Sequence, residues 1–305
     1  MVLAQTNGHG NDVSQWIESL AAKTPLSGKG LAVINVLGSQ PRMASYASVR
    51  EIAASASLSS GTVTRTAQAL GFTGWPSLQA ELRTQYLASL SAVELAEERV
   101  GDSQLPAFAS LTRDRDNLSV YSRLVDLSQL RRVAVAMTSA QHTYVVSGGS
   151  FLGVGQILAH GAQLHGYDVR LLSEPAQMAN TLSTVTSDDV VFGISFWRLY
   201  ESTVKALEAA SERSTSVFLL TDAVSRNLEK VTDEIITIPA EGAGFSPSLT
   251  IATAVVQALV AEMAAVAPAH TARAISRAEE EWGRFNLMHR YGKAERPSPL
   301  RPLHA

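Results

Sequence analysis

Residues 48–75, SVREIAASASLSSGTVTRTAQALGFTGW, predict two short helices joined by a tight turn. Ser48 and Glu51 have the spacing of a capping box, in which each side chain binds the other residue's backbone N–H, so the first helix should begin at Ser48. Ser59 can cap the second helix, and Gly71 can end it in a left-handed conformation. Apolar residues recur at helical spacing along one side of the two helices, at Val49, Ile52, Ala53, Ala56, Val63, Ala67 and Leu70.

The opposite side of the second predicted helix is polar and carries one guanidinium group. Such a face can lie against base edges in the major groove of DNA, where Arg65 could contact guanine and Gln68 adenine. The candidate DNA-binding residues are Ser48, Ser59, Ser60, Gly61, Thr62, Thr64, Arg65 and Gln68. The pattern alone is equally compatible with a helical hairpin whose polar face is merely solvated.

Residues 48–83 resemble the N-terminal helix-turn-helix of RpiR/MurR-type bacterial transcription regulators. The recurring pattern of that family is matched by Ser59, Thr62, Val63, Arg65, Leu70, Gly71, Phe72, Gly74 and Trp75. Residues 12–22 and 28–38 would supply the preceding helices, and weaker similarity runs from about residue 10 to 285. The resemblance implies an all-α DNA-binding domain over residues 10–90.

The composition is typical of a globular protein with two domains. The chain has 305 residues, of which 46% are hydrophobic and 17% are charged. It contains no cysteine, which excludes a disulfide framework and thiolate metal sites. No signal peptide opens the chain, and residues 249–266 contain Gln257 and Glu262, so they predict a buried helix and not a membrane span. We therefore expect a cytoplasmic protein with no membrane partner, no cofactor and no metal.

Charge is distributed unevenly along the chain. The net charge is −3, but residues 1–90 carry +2 and the remainder −5. Because phosphate contacts supply much of the affinity for DNA, one copy of so mildly basic a head should bind weakly. A homodimer or homotetramer that places two heads on adjacent major grooves would raise the affinity for DNA. Such a paired arrangement predicts a palindromic operator.

The rest of the chain alternates predicted strands with helices. The predicted strands are residues 132–137, 169–172, 189–195, 217–221 and 234–238. Apolar strands separated by helices indicate a parallel sheet covered on both faces. The predicted fold is thus an all-α helix-turn-helix domain followed by a three-layer α/β domain with a five-stranded parallel sheet. The predicted limits are a helical linker at 91–127, the α/β domain at 128–268, a C-terminal helix at 269–290 and a disordered tail at 291–305.

Ligands of such sheets bind beyond the carboxyl ends of the strands. The candidate effector-binding residues are therefore those that follow the predicted strands: Thr138, Ser139, Gln141, Ser195, Trp197, Arg198, Tyr200 and Thr221. They resemble the loops of the sugar isomerase (SIS) domain, the usual C-terminal partner of RpiR-type heads.

In SIS domains a Gly-x-Gly-x-Ser loop and a Ser-x-Ser-Gly-x-Thr loop hold the phosphate of a phosphosugar at helix N-termini. This sequence departs from both loops. In the first, Met137 and Ser139 stand at the glycine positions and Gln141 at the serine. In the second, Ser195 matches, whereas the remaining family positions are occupied by Trp197, Arg198 and Tyr200. Thr221-Asp222 matches a strand-end pair that the family often shows.

Three interpretations of the altered loops are open. Arg198 could pair with a carboxylate while Trp197 stacks on a ring, which would indicate a changed ligand. Thr138 or Ser139 could restore a phosphosugar site by a shift of register. The domain could also bind no ligand and only assemble the oligomer, with Trp197 as a packing residue.

The predicted function is a DNA-binding transcription regulator that senses a sugar-derived metabolite, a phosphosugar or a sugar acid. The alternative is a sugar isomerase with a vestigial head, in which Glu241 could act as a base. An intact head beside altered sugar loops favours the regulator and not an enzyme. His142, His160, His165 and His270 lack the spacing of metal ligands, so packing or surface roles are expected for them.

Overall fold

The computed structural model describes residues 9–91, 93–94, 97, 105–197, 199–222, 224, 226–244 and 246–288. It consists of a helical head and an α/β domain, each built around its own buried apolar side chains. The predicted disordered tail, residues 291–305, lies outside the described residues, as does part of the predicted linker.

Six helices are described in the head: α1 (His9–Ala22), α2 (Gly28–Ser39), α3 (Pro41–Tyr46), α4 (Val49–Ser55), α5 (Ser60–Ala69) and α6 (Trp75–Ser89). The two predicted helices that precede the helix-turn-helix are present as α1 and α2, whereas α3 was not predicted. The head core contains the fully buried side chains of Ile17, Leu37, Ile52, Val63, Leu78 and Leu82. The apolar stripe of residues 48–75 therefore faces inward, as predicted.

The predicted caps fix the ends of α4 and α5. The Glu51 N–H donates to Ser48 Oγ at 3.3 Å, and the Ser48 N–H donates to Glu51 Oε2 at 2.7 Å, which completes the capping box. Hydrogen bonding of the Glu51 carboxyl to the Ser48 side chain and to the Ser48 backbone N–H holds the pKa of that carboxyl below its usual value. Ser59 Oγ accepts from the Thr62 N–H, and Gly71 ends α5 at a φ of +88°. The caps therefore fix where α5 begins and ends, and with it which residues form its polar side.

The second domain contains five parallel strands in the order β2-β1-β3-β4-β5. They are β1 (Thr143–Ser147), β2 (Val169–Leu172), β3 (Val190–Ile194), β4 (Ser216–Thr221) and β5 (Glu234–Thr237). The described helices around them are α7 (Pro106–Leu124), α8 (Leu127–Ser139), α9 (Leu152–Leu164), α10 (Pro175–Leu182), α11 (Glu201–Ser211), α12 (Arg226–Val231), α13 (Thr250–Val266) and α14 (Pro268–Arg284). Helices α8, α9 and α13 cover one face, and α10, α11 and α12 cover the other. The three-layer fold is as predicted.

The predicted first strand is wrong, because residues 132–137 lie inside α8. Their RVAVAM run has the composition of a strand, but Leu130, Val133, Ala134 and Met137 recur at helical spacing and are all buried. The side chain of Asp126 caps the helix by accepting from two backbone N–H groups. The true strand, β1, lies within the stretch predicted as helix. A short apolar run does not distinguish a buried strand from a buried helix.

Helix α13 is a core helix of the α/β domain, and Ile251, Val255, Val256, Leu259 and Met263 are buried along it. In the described part of the chain, no single helix is both long and apolar enough to cross a bilayer; α13 and α14 reach that length only together, across a bend of 108°.

We expect Gly71→Ala to lower the free energy of unfolding of the head by about 1–2 kcal/mol, because an alanine Cβ is strained in the left-handed conformation. Gly28→Ala is the matched control, since a Cβ at Gly28 meets no atom within 4 Å. That control should change the free energy of unfolding by no more than about 0.5 kcal/mol. Urea denaturation measures both, and equal losses would contradict the assignment of Gly71 as the helix-ending residue.

Candidate functional site

Helix α5 presents a polar surface on the outside of the head. Val63, Thr66 and Ala67 turn inward, which leaves Arg65 and Gln68 exposed on the opposite side. Within the described residues, Arg65 has no ion-pair partner. A long guanidinium side chain and an amide, one turn apart on an exposed helix, have the reach and the donors needed to contact base edges.

The other candidate DNA-binding residues have local roles in the structure. Ser48 belongs to the capping box, and the hydroxyls of Ser59 and Thr62 lie 3.0 Å apart at the start of α5. Thr64 Oγ1 donates to the Ser60 carbonyl at 3.1 Å. Ser48 thus caps α4, whereas the hydroxyls of Ser59, Thr62 and Thr64 form bonds in the first turns of α5. Arg65 and Gln68 are the exposed side chains of α5.

Two of the six cationic residues in the head face the α/β domain. The guanidinium of Arg83 forms an ion pair with Glu241 and lies 4.6 Å from the centre of the Tyr46 ring. Arg42 lines the same cavity between the domains. The exposed positive charge away from this junction is carried by Lys23, Lys29, Arg50 and Arg65. The head is therefore less basic toward DNA than its sequence suggests.

The candidate effector residues fall at two opposite edges of the sheet. Thr138 and Ser139 end α8, and Gln141 precedes β1, where its N–H donates to the Asp188 carbonyl before β3. These three lie at the amino edge, so the prediction that they share a site with Ser195 is wrong. It failed because it rested on the misplaced first strand. Ser195, Trp197, Tyr200 and Thr221 are together at the carboxyl edge, and Arg198 lies outside the described residues.

The first loop at the carboxyl edge is Ser147-Gly148-Gly149-Ser150-Phe151, between β1 and α9. When this loop is aligned with the Gly-x-Gly-x-Ser pattern, Gly149 matches the second glycine. Phe151 lies at the position of the serine. Phe151 is buried, and the Ser147 hydroxyl donates to the Ile194 carbonyl at 3.3 Å. The position of the ligand-binding hydroxyl is thus filled by an apolar ring.

The ring of Tyr200, which directly precedes α11, packs against this loop. A Cβ on Gly148 would lie 3.3 Å from the Tyr200 ring, so the ring packs directly on the glycine backbone. Phe151 contacts Tyr200 and Phe196 edge-to-face, with ring centres 5.9 and 5.2 Å apart. The Tyr200 N–H donates to the buried Ser195 hydroxyl at 3.2 Å. Aromatic rings therefore pack directly on the backbone of this glycine loop.

Trp197 joins the carboxyl edge to the head. Its φ is +21°, an uncommon value for a residue other than glycine, and its backbone N–H donates to Asp222 Oδ1 at 2.9 Å. The indole N–H donates to the Leu87 carbonyl near the end of α6 at 2.8 Å, and the ring packs on the head core. The structure shows the packing role predicted for Trp197, and its predicted contact with a ligand stays a prediction.

Two cavities meet between the head and the carboxyl edge, and we call them together the junction cavity. An apolar chamber of about 760 Å³ is lined by residues that include Leu87, Asn117, Val120, Trp197, Leu199 and Pro239. An arginine chamber of about 720 Å³ is lined by residues that include Arg42, Tyr46, Arg83, Arg113 and Glu241. Arg83, Leu87 and Glu241 line both chambers, so they mark where the chambers meet.

Glu241, the candidate base, is an ion-paired residue of this junction. Besides Arg83, its carboxylate has Arg113 Nη1 at 3.7 Å, and its backbone carbonyl accepts from Asn117 Nδ2 at 2.9 Å. The sequence gives no local signal of this cluster, because its members come from α6, α7 and the loop after β5.

The described residues contain no group of three or more potential metal ligands. His142 has an aspartate partner that its sequence context does not reveal, since its Nδ1 lies 3.0 Å from Asp189 Oδ1. Burial raises the pKa of Asp189, but the hydrogen bonds from Thr186 and His142 outweigh it and hold the value below its usual range. This pair lies at the amino edge of the sheet, remote from the junction cavity.

Comparison with known proteins identifies both domains. Residues 15–89 match the helix-turn-helix domain of the rpiR family, and residues 136–267 match the SIS domain. The sugar isomerase domain of an RpiR transcription factor from Sphaerobacter thermophilus is 28% identical, with a TM-score of 0.55 over 58% of this chain and 99% of that one. The NanR protein of Vibrio vulnificus, in complex with ManNAc-6P, is 20% identical and has a TM-score of 0.58 over 91% of this chain and all of its own.

We expect Gly149→Ala to destabilise the α/β domain, because the new Cβ would have a φ of +55°, overlap the Tyr200 hydroxyl and lie 2.8 Å from its Cζ. Tyr200→Ala removes the overlap, so the double variant should lose less stability than the two single variants added together, by at least about 0.5 kcal/mol. Urea denaturation measures the three variants. Gly153→Ala, where a Cβ meets no atom within 4 Å, is the control. Strict additivity would show that Tyr200 does not fill the loop in solution.

Proposed function

The chain is a member of the RpiR family of helix-turn-helix regulators with a C-terminal SIS domain, and we propose that it binds operator DNA through α5 and responds to a small sugar-derived anion. The observation that supports DNA binding most directly is the exposed polar side of α5. The helix is capped at both ends, and its opposite side is buried in the core of the head. Arg65 and Gln68 are the proposed base-reading residues.

The proposed DNA-binding form is a homodimer or homotetramer, either of which presents heads in pairs to a palindromic site. The small positive charge of the head supports this, since two heads double the number of phosphate contacts. Exposed apolar side chains near the start of α7 also support assembly, because Leu105, Phe108 and Leu111 are each about two-thirds exposed in the single chain. Large apolar groups in such a cluster are characteristic of protein interfaces.

The proposed effector is a phosphosugar or a sugar acid. The neighbour NanR of Vibrio vulnificus is complexed with ManNAc-6P, which supports a phosphosugar by analogy of fold alone. The aromatic rings over Gly148 and Gly149 argue against the ordinary position of the phosphate. The same rings argue against a sugar isomerase, because a substrate bound in that loop would have to displace them. They favour one alternative, a regulator whose SIS domain only assembles the oligomer.

The first test is selection of bound sequences from random DNA, followed by binding measurements on the selected site by fluorescence anisotropy. We expect Arg65→Ala to weaken binding to the selected site by about tenfold or more, because a bidentate contact to guanine contributes about 1–3 kcal/mol. The same variant should lose much of its preference over random DNA. Arg277→Ala removes an equal charge from exposed α14 and is the control. Retained sequence preference in Arg65→Ala would refute α5 as the recognition helix.

A second prediction concerns the pairing of heads. DNA that carries two half-sites about 10 base pairs apart should bind more tightly than DNA with one half-site, because heads related by a two-fold axis contact adjacent major grooves. Moving the half-sites apart by about 5 base pairs should remove this gain, since the second half-site then faces the other side of the duplex. Equal affinity for one and two half-sites would indicate that the heads bind independently.

A further inference from the structure

The junction cavity has the size and lining of a small-molecule site. Each chamber falls within the range of about 300–1,000 Å³ that is usual for such sites. The apolar chamber offers the Trp197 ring, Leu199 and Pro239 as walls, with the Asn117 amide and the Asp222 carboxylate as polar groups. It lies beyond the carboxyl ends of β3, β4 and β5, where parallel sheets of this kind bind their ligands.

The arginine chamber has the chemistry of an anion site. Arg42, Arg83 and Arg113 line it, together with two carboxylates, Glu51 and Glu241. The Glu51 carboxylate accepts the Ser48 N–H in the capping box, so Glu241 is the carboxylate that Arg83 and Arg113 share. Guanidinium groups recognise carboxylates and phosphates alike through paired N–H donors. Glu241 thus occupies the place that the anionic group of a ligand could take.

We propose that the junction cavity binds a phosphorylated or carboxylated sugar. The anionic group lies between Arg83 and Arg113 and displaces the Glu241 carboxylate, and the carbon skeleton extends into the apolar chamber against Trp197 and Leu199. This site differs from the glycine loop after β1, which Tyr200 and Phe151 fill.

Ligand binding at this position would be coupled to the placement of the head. Arg83 belongs to α6 and Glu241 follows β5, so their ion pair connects the two domains. A ligand whose anionic group pairs with Arg83 displaces Glu241 from it. The direct ion pair between the domains is then replaced by a contact that passes through the ligand. The sugar class of the ligand and this regulatory consequence rest on the proposed function, whereas the binding of an anion at the arginines does not.

Isothermal titration calorimetry of the full chain tests the proposal with three probes: glucose 6-phosphate, gluconate and uncharged glucose. We expect saturable binding of at least one anion and none of glucose, and the two anions distinguish a phosphate site from a carboxylate site. Arg113→Ala should weaken anion binding by about tenfold. Arg123→Ala removes an exposed charge from the same helix outside the cavity and should bind as the wild type does.

Glu241→Gln provides the sharper test, because it removes the competing charge while preserving the shape of the side chain. We expect it to tighten anion binding by about fivefold, the effect of freeing two guanidiniums from one partly exposed carboxylate. Unchanged affinity in Glu241→Gln would overturn the displacement. Thermal denaturation of each variant without probe checks that the fold is retained. Arg83→Met removes the guanidinium that the head supplies to the site and, like Arg113→Ala, should weaken anion binding.

Two results would overturn the site. One is the absence of saturable binding of either anion, at millimolar concentration, to both the wild type and Glu241→Gln. The other is wild-type anion affinity in both Arg113→Ala and Arg83→Met. Arg65→Ala separates this proposal from the DNA-binding proposal, since it should bind the anion normally. If the chain proves not to recognise an operator through α5, the anion titrations are unaffected. If neither anion binds, the DNA-binding proposal is unaffected.

Discussion

The parallel direction of the strands is the constraint on which the arrangement of this protein depends. Because all five strands run the same way, the loops that follow β1, β3, β4 and β5 come together at one edge of the sheet. That edge also faces α6 of the head, through Trp197 and Glu241. The surface on which an α/β domain binds ligands is therefore the surface on which this chain holds its DNA-binding head.

Local chemistry made most of the fold predictable. Caps at Ser48 and Ser59 and the glycine at Gly71 act within a few residues of themselves, so the sequence specifies them directly. Four of the five strands were also predictable, because turn residues bound their apolar runs. The first strand was not, since the RVAVAM run has both the composition of a strand and the spacing of a helical stripe. Its helical state is decided by packing of Val133 and Met137 under the sheet, which is a tertiary effect.

The two candidate sites differ in how far sequence reasoning reaches. The proposed DNA-binding surface lies on one helix, so the 3.6-residue period is enough to place Arg65 and Gln68 on the same exposed side. The carboxyl edge is assembled from distant segments, and the error in β1 moved Thr138, Ser139 and Gln141 to the wrong edge. Tyr200 fills a glycine loop some fifty residues earlier in the chain, and the indole of Trp197 bonds to Leu87. Altered family positions left three interpretations open, and only their neighbours in space show that aromatic rings pack on the glycine loop.

The described contacts between the head and the carboxyl edge of the sheet are individually weak. A hydrogen bond such as that of Trp197 to Leu87 contributes about 1 kcal/mol net, and a partly exposed ion pair such as Arg83–Glu241 contributes about 1 kcal/mol or less. A ligand shifts an equilibrium between two placements of the head only by its difference in affinity for them, so a difference of about 1–3 kcal/mol is sufficient to change the favoured placement. Coupling of this kind is reciprocal. If the proposed coupling holds, operator DNA that favours one placement of the heads alters the affinity of the junction for an anion by the same factor.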